Sequence, residues 1–282
     1  MSLEPDSSSL LSVAAQYSVD FAREKLAGRQ LAVLTGAGIS TDSGIPDYRG
    51  AGRVPRHPMT YDVFVGSEAA RVRYWARSFV GFSRIDQALP NSGHFALASA
   101  ESAGMIQQII TQNVDGLHQA AGSKRVIDLH GRLNQVRCLE CGQKLSRAEL
   151  DAQLVALNPT VSKDAAVEFS PDGDAEVDIA PGFRVPVCQH CGGILKPDVV
   201  FFGESVPAER VAASFDAVEA ADALLVAGTS LQVNSGLRFV RRAAKAGKPI
   251  VIVNLGPTKA DELATAKIEA NTSLALERLL ID

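Results

Sequence analysis

The chain has no hydrophobic run approaching the roughly 18–20 residues that a membrane helix needs, which excludes a helical membrane span. It has no basic excess either: 28 lysines and arginines stand against 32 acidic residues, a formal charge of −4 with a pI near 5.8. Proteins held to nucleic acid by phosphate neutralisation are expected to be basic, so direct nucleic-acid binding is disfavoured. Four cysteines in 282 residues are too few for a disulfide scaffold. No repeat or low-complexity tract is evident, which excludes a solenoid. The start, Met1-Ser2-Leu3-Glu4-Pro5-Asp6, is acidic and no signal-peptide core follows it, so the expected location is cytoplasmic. What remains is ordinary globular material: 46% hydrophobic and 21% charged residues, enough for one large domain or two unequal ones with a sizeable core.

Apolar residues from Leu10 to Leu26 fall near helical spacing, with Gly28 placed to close the helix. The run Gln30–Thr35 then reads as a buried parallel strand breaking into Gly36-Ala37-Gly38. Further strands are expected over Met105–Thr111, Val126–Leu129, Ala223–Ala227 and Pro249–Val253, with helices over His94–Ser102 and Gly236–Ala246. Alternating strands and helices with ligand-like loops at strand ends predict an α/β fold, a Rossmann-like doubly wound parallel sheet. Residues 138–191 differ. They begin and end with cysteine pairs, lack a strong apolar period, and hold six acidic residues and no basic one between Asp164 and Asp178. They read as a small inserted module, whose acidic stretch is expected to be a solvated loop with a turn at Pro171-Asp172-Gly173.

The pairs Cys138-Leu139-Glu140-Cys141 and Cys188-Gln189-His190-Cys191 can converge four thiolates on one tetrahedral Zn²⁺; two disulfides or four buried thiols are the competing readings. Four protein ligands leave no open position, so such a zinc is structural. Gly36-Ala37-Gly38 lets backbone N–H groups approach a pyrophosphate, aided by a following helix N-terminus. A dehydrogenase fingerprint would want glycine at Thr41 and an acidic residue about 20 positions on, where Arg53, Pro55, Arg56 and His57 stand. Asp42–Gly50 is a poor helix and reads as a flap over a ligand. Thr111-Gln112-Asn113-Val114-Asp115 offers the fixed donors and acceptors that ribose hydroxyls and a carboxamide require, or else a capping loop. His130, delivered to a strand end, suits general-base work. Gly228-Thr229-Ser230 and Asn254-Leu255-Gly256 add small polar groups at two more strand ends, where open α/β sheets bind ligands.

Taken together, these segments resemble the sirtuins, NAD-dependent protein-lysine deacylases. The matching pieces are Gly36-Ala37-Gly38-Ile39-Ser40, Gly44-Ile45-Pro46-Asp47-Tyr48-Arg49, Thr111–Asp115, His130-Gly131, both cysteine pairs, Phe202-Gly203-Glu204, Gly228-Thr229-Ser230 and Val253-Asn254, in the family's order. The resemblance implies an NAD-binding domain over residues 10–137 and 195–282, a zinc-binding module over 138–194, and an acyl-lysine tunnel between them. It implies His130 as the base, with Asn113 also catalytic. Asn113, Val114 and Asp115 would contact the nicotinamide ribose and carboxamide, with Ser40 and Gln112 nearby. Asp47, Tyr48 and Arg49 would belong to the flap, Tyr48 shielding the reactive carbon. Gly36, Ala37 and Gly38 would hold the phosphates, and Gly228, Thr229, Ser230, Asn254, Leu255 and Gly256 the adenosine half, with a backbone contact to adenine near Thr272. Val199, Phe202, Gly203, Glu204 and Val233 would flank an added substrate strand.

The implied reaction begins as the acyl-lysine carbonyl oxygen attacks the ribose carbon while nicotinamide departs. His130 then deprotonates a ribose hydroxyl, and water completes release of free lysine and O-acyl-ADP-ribose. The implied cofactors are NAD as co-substrate and one structural Zn²⁺; the implied partners are acyl-lysine proteins or peptides. Protein mono-ADP-ribosyl transfer and a silent NAD or ADP-ribose sensor are the alternatives. Asp42 and Pro46-Asp47-Tyr48-Arg49 are similar to the branch containing the mitochondrial sirtuin associated with ADP-ribosyl transfer and lipoamide removal. No counterpart to the Tyr-x-x-Arg pair of the desuccinylase branch stands in the stretch Ala51–Pro58 that follows Gly50, which argues against succinyl preference; longer apolar acyl chains are the expectation.

Overall fold

A computed structural model describes residues 11–48, 58–161, 170–175 and 181–281 of the chain. The first helix, α1 (Val13–Leu26), starts where the Ser12 side chain accepts from the Ala15 N–H, and ends before Gly28, whose φ of 68° turns the chain into the sheet. The strands β1 (Leu31–Thr35), β2 (Ile106–Thr111) and β3 (Val126–Asp128) run outward on one side. The strands β7 (Ala223–Ala227), β8 (Ile250–Val253) and β9 (Ala266–Ile268) run outward on the other. The order is β3-β2-β1-β7-β8-β9, and every pairing is parallel. All residues of β1, β7 and β8 are buried, as continuous apolar runs covered on both faces should be.

Alternate residues of these strands serve different layers. Leu31, Val33, Leu225 and Val251 pack with α1, α4 (Ser92–Ser102) and α9 (Thr272–Leu280). Ala32, Leu34, Leu224 and Ile252 pack with α7 (Ala208–Ala220) and α8 (Asn234–Lys245). The period of two thus divides one apolar run between two helical layers. His94 helps start α4, as expected, in a capping box with Asn91. The short β9 carried no sequence signal and was not expected.

A second sheet is antiparallel, in the order β5 (Lys144–Ser146), β4 (Gly131–Cys138), β6 (Leu195–Val199). It is joined by α6 (Arg147–Leu157), which opens with a capping box between Ser146 and Glu149. Two helices not foreseen from the pattern, α2 (Tyr61–Gly66) and α3 (Glu68–Asp86), pack against this sheet. Phe64, Tyr74, Trp75, Phe79 and Phe82 form their buried face, against Leu133, Val136, Leu195 and Phe201. The four-residue α5 (Leu117–Ala120) links β2 to β3. Among the described residues no helix is long and apolar enough to cross a membrane.

Candidate active site

The chain leaves β1 for β2 on one side and returns through β7 on the other, so the loops after β1 and β7 diverge over a crevice at the carboxyl ends of the strands. These two loops touch without side chains between them. A Cβ on Gly38 would lie 2.9 Å from Gly228 Cα, and one on Gly228 would lie 2.3 Å from Ile39 N. Bare backbone therefore faces the crevice. The α-helix expected after this glycine loop is replaced by two 3₁₀ turns, Ala37–Ile39 and Thr41–Ser43. Asp42 and Ser43 are poor helix formers, and Gly44, at φ 82°, turns the chain away.

The side chains beyond β1 and β2 hold one another. Asn113 Nδ2 donates to Gly36 O and to Ser40 Oγ, both at 3.1 Å, and Ser40 Oγ donates to Asp115 Oδ2 at 2.7 Å. Asp115 Oδ1 also accepts from the Leu117 N–H at 2.9 Å, so the capping role and the ligand-facing role fall on one residue. Burial pushes the Asp115 carboxyl above the usual carboxylate range, against the hydrogen bonds that favour its charge. Gln112 Nε2 donates to Thr35 O and Thr229 Oγ1, tying the loop after β2 to the loop after β7.

His130 follows β3 at the centre of this wall. Its Nδ1 lies 2.9 Å from Gln112 O, a group that only accepts, so Nδ1 carries the proton. Its Nε2 lies 2.9 Å from Ser235 Oγ, on the first turn of α8. Burial lowers the imidazole to about 4, opposed by the bond to Gln112 and reinforced by Arg238 and Arg210, so the ring is neutral at physiological pH.

The facing wall has another origin. Val200 N donates to His130 O at 2.8 Å and Tyr61 N to Phe202 O at 2.9 Å, fixing the segment after β6. The buried Lys196 donates to Val199 O and Pro197 O and pairs with Glu204 Oε2 at 2.9 Å, while that carboxylate also accepts from Phe201 N at 2.8 Å. Glu204 is thus committed to shaping its own loop. Tyr48 and Phe202 meet edge to face, with ring centroids 6.3 Å apart. Part of the acidic stretch belongs here too. The expectation of a solvated loop fails for residues 170–175: Gly173 and Ala175 are buried, and Arg77 of α3 pairs with Asp174 at 2.7 Å. The reason is a close fit, since Gly173 sits so near Gly81 that a Cβ there would come within 2.2 Å of Gly173 O. The expected turn is present, with Gly173 at φ 74°.

Both walls enclose one cavity of about 820 Å³. It is lined by Gly36, Ala37, Gly38, Ser40, Asp47, Tyr48, Gln112, Asn113, Val114, Asp115, His130, Gly228, Thr229, Ser230, Asn254, Leu255 and Gly256, and by Val199, Phe202, Gly203, Glu204 and Val233. Thr272, buried at the start of α9, is not among its lining residues, and Arg49 lies outside the described residues. Ser235, Tyr74 and Asp172 also line it and were not anticipated. A serine on the first turn of a helix carries no signal of its own, and Asp172 reaches the cavity only through tertiary packing. Tyr74 did carry a signal: Tyr74-Trp75-Ala76-Arg77 is a Tyr-x-x-Arg pair, whose tyrosine lines the cavity and whose arginine holds Asp174, so the expectation drawn from Ala51–Pro58 that the pair is missing is corrected.

The four cysteine sulfurs lie within 4.8 Å of one another. Cys138 and Cys191 are 3.5 Å apart and Cys141 and Cys188 3.8 Å, so each contact joins one pair to the other. A disulfide needs about 2.05 Å. A tetrahedron of thiolates around zinc at about 2.3 Å has edges of about 3.8 Å. The donor set therefore fits a closed Cys₄ zinc site. It staples the end of β4 to the turn before β6.

The model of the Sir2 family matches residues 36–235. The chain is 54% identical over 258 residues to NAD-dependent protein deacetylase 1 of Mycobacterium avium, covering 90% of this chain and 92% of that one. It is 51% identical over 257 residues to NAD-dependent protein deacetylase 2 of Bradyrhizobium diazoefficiens, covering 89% and 93%. Among solved structures it is similar to a Sir2 complex with p53 peptide and NAD⁺, with a TM-score of 0.73, 32% identity, and coverage of 92% of this chain and 95% of that one.

Proposed function

Since this chain belongs to the Sir2 family, we propose that it is an NAD-dependent protein-lysine deacylase of the deacetylase type, releasing nicotinamide, O-acyl-ADP-ribose and free lysine. The observation that carries this reading is the convergence of neutral His130, Asn113, Ser40 and Asp115 at the sheet's switch point, in the cavity that also holds the glycine-walled loops. The residues fit NAD, which supplies the labile ribose–nicotinamide bond when bound. Gly36, Ala37 and Gly38 present backbone to the phosphates. Thr229, Ser230 and the loop from Asn254 to Gly256 receive the adenosine half. Asn113 and Asp115, held by Ser40, orient the nicotinamide ribose and carboxamide. Tyr48 and Phe202 exclude water from the reacting carbon, and His130 takes the proton from a ribose hydroxyl.

An acyl-lysine peptide is the partner this cavity suits, lying as an added strand between residues 199–204 and Val233. A neighbouring Sir2 structure that holds a p53 peptide, similar at a TM-score of 0.73, supports a peptide as the partner. The Cys₄ zinc is structural, and the module over 138–194 hangs from β4 and β6. Incubating the protein with NAD and a panel of acyl-lysine peptides, while following nicotinamide and peptide mass together, tests the reading. Nicotinamide release matched by deacylated peptide is expected. ADP-ribose added to protein with the peptide still acylated would replace it with a transferase, and no NAD consumption by folded, zinc-loaded protein with a sensor.

A further inference from the structure

His130 is placed to act as a base, yet its basic atom is already engaged. With Nδ1–H donated to Gln112 O, the neutral ring has a single in-plane lone pair, on Nε2. Ser235 Oγ lies 2.9 Å from it and, with Nε2 unprotonated, must donate its hydrogen there. A substrate hydroxyl cannot donate to the same lone pair while that bond stands. Ser235 Oγ keeps its own lone pairs, and Ser235 lines the same cavity as Asn113, Ser40 and Asp115.

The local packing fixes this arrangement. Gly236, next in the chain, abuts the Gln112 side chain so closely that a Cβ there would lie 2.7 Å from Gln112 Oε1. The first turn of α8 is thereby locked to the loop whose carbonyl orients His130. Ring, carbonyl and hydroxyl form one chain from Gln112 O through His130 to Ser235 Oγ.

We infer that Ser235 is a catalytic proton relay between the ribose hydroxyl and His130. The inference rests on the deacylase reading and specifies how its base step is made. The ribose O–H bond breaks as its proton passes to Ser235 Oγ, while the Ser235 O–H bond breaks as its proton passes to His130 Nε2. Ser235 ends as a hydroxyl again, His130 gains one proton, and the ribose oxygen's freed electron pair forms the new bond to the acyl carbon as that carbon's C=N π pair moves onto the lysine nitrogen.

The test separates two stages of the reaction. Nicotinamide leaves before the base acts, so exchange of labelled nicotinamide into NAD, in the presence of acyl-lysine peptide, reports the first stage alone. In S235A, kcat for deacylation is expected to fall about ten- to hundredfold, with the KM values for NAD and peptide changed by less than about twofold. Exchange continues, and Ser235→Thr, which keeps the hydroxyl, recovers most of the turnover. A readout independent of turnover is ¹⁵N NMR of the imidazole in the free protein: His130 is the Nδ1–H tautomer, and its Nε2 resonance moves in S235A as the hydrogen bond is lost. Deacylation by S235A at or above the wild-type rate would make the serine a mere cover and overturn the relay. So would parallel loss of exchange and deacylation, an Nε2–H tautomer, or an unmoved Nε2 resonance. If the wild-type protein shows neither exchange nor deacylation, the deacylase reading itself fails, and the relay with it; the NMR result then reports only the hydrogen bond.

Discussion

The two walls of the cavity are built in opposite ways. One consists of the carboxyl ends of β1, β2, β3, β7 and β8, where each loop follows directly from its strand and the polar groups bond to one another over short distances. The other is assembled from α3, the 171–174 turn and the segment after β6, which meet only because the second sheet and its cysteine site bring distant stretches together. Local construction makes the first wall rigid once the parallel sheet forms. The second depends on long-range closure, so the two should respond differently to perturbation.

Loss of the metal should separate them most strongly. The Cys₄ site joins β4 to β6 across a gap of 46 residues between the pairs, and structural zinc contributes on the order of 10 kcal/mol in small modules. Cys188→Ser, or prolonged chelation, is expected to unfold the second wall and abolish deacylation. The parallel sheet should keep protected amides in β1, β7 and β8. Hydrogen exchange read by mass spectrometry checks this, and uniform loss of protection would show that the walls are one cooperative unit.

Gly131 is the hinge between the walls. It sits at φ 84° immediately after His130 and opens β4, and a Cβ there would lie 1.8 Å from Asp198 O. Gly131→Ala combines a left-handed backbone with a backbone clash, so a loss of about 3 kcal/mol is expected in denaturant unfolding. Because the clash is beside the base, turnover should fall with it. A variant of unchanged stability would show that β6 can slide away at little cost.

Acid should weaken the first wall through its buried histidines. His118 Nε2 bonds to Thr35 Oγ1 at 2.8 Å, and its ring lies 5.0 Å from that of His94. Burial lowers His94 to about 4; burial, with His94 close by, lowers His118 to about 3. Both rings are neutral in the fold and charge more readily in the unfolded chain. Their stabilisation is therefore complete above about pH 6.5 and declines as pH falls, by roughly 1.4 kcal/mol per pH unit for each ring. Between pH 7 and 5, His118→Gln should lose about 2 kcal/mol less stability than the wild type. Equal losses would remove His118 as the cause.

How legible each wall was in the sequence follows the same division. Buried parallel strands announce themselves as unbroken apolar runs, and Gly36-Ala37-Gly38, Gln112-Asn113 and His130 stand directly at their ends. The cysteine pairs were legible because four thiolates at such spacing have few other uses. The aromatic face of α3 was not, because its partners Leu133, Leu195 and Phe201 are far away in the chain. Nor was the docking of residues 170–175, because a run of acidic residues with a turn looks solvated until Gly81 and Gly173 are seen to fit together.

That docked turn sets the smallest and most specific expectation. Asp172 lines the cavity beside the buried Tyr74. Burial and then Asp174 raise the Asp172 carboxyl to about 6, with Arg77 opposing, so it is mostly charged at pH 7.5. A negative charge in a half-enclosed pocket repels an acyl chain that carries its own carboxylate, by about 1–3 kcal/mol at a separation of several ångströms. Acetyl-lysine should therefore be preferred to succinyl-lysine by the wild-type protein. Asp172→Asn, which keeps the shape and removes the charge, should raise succinyl turnover relative to acetyl on the order of tenfold. The acetyl rate itself should hardly move, since acetyl carries no charge for Asp172 to repel. If the succinyl-to-acetyl ratio stays fixed, the second wall shapes the pocket without reading charge, and its acidic turn serves only to pack against α3.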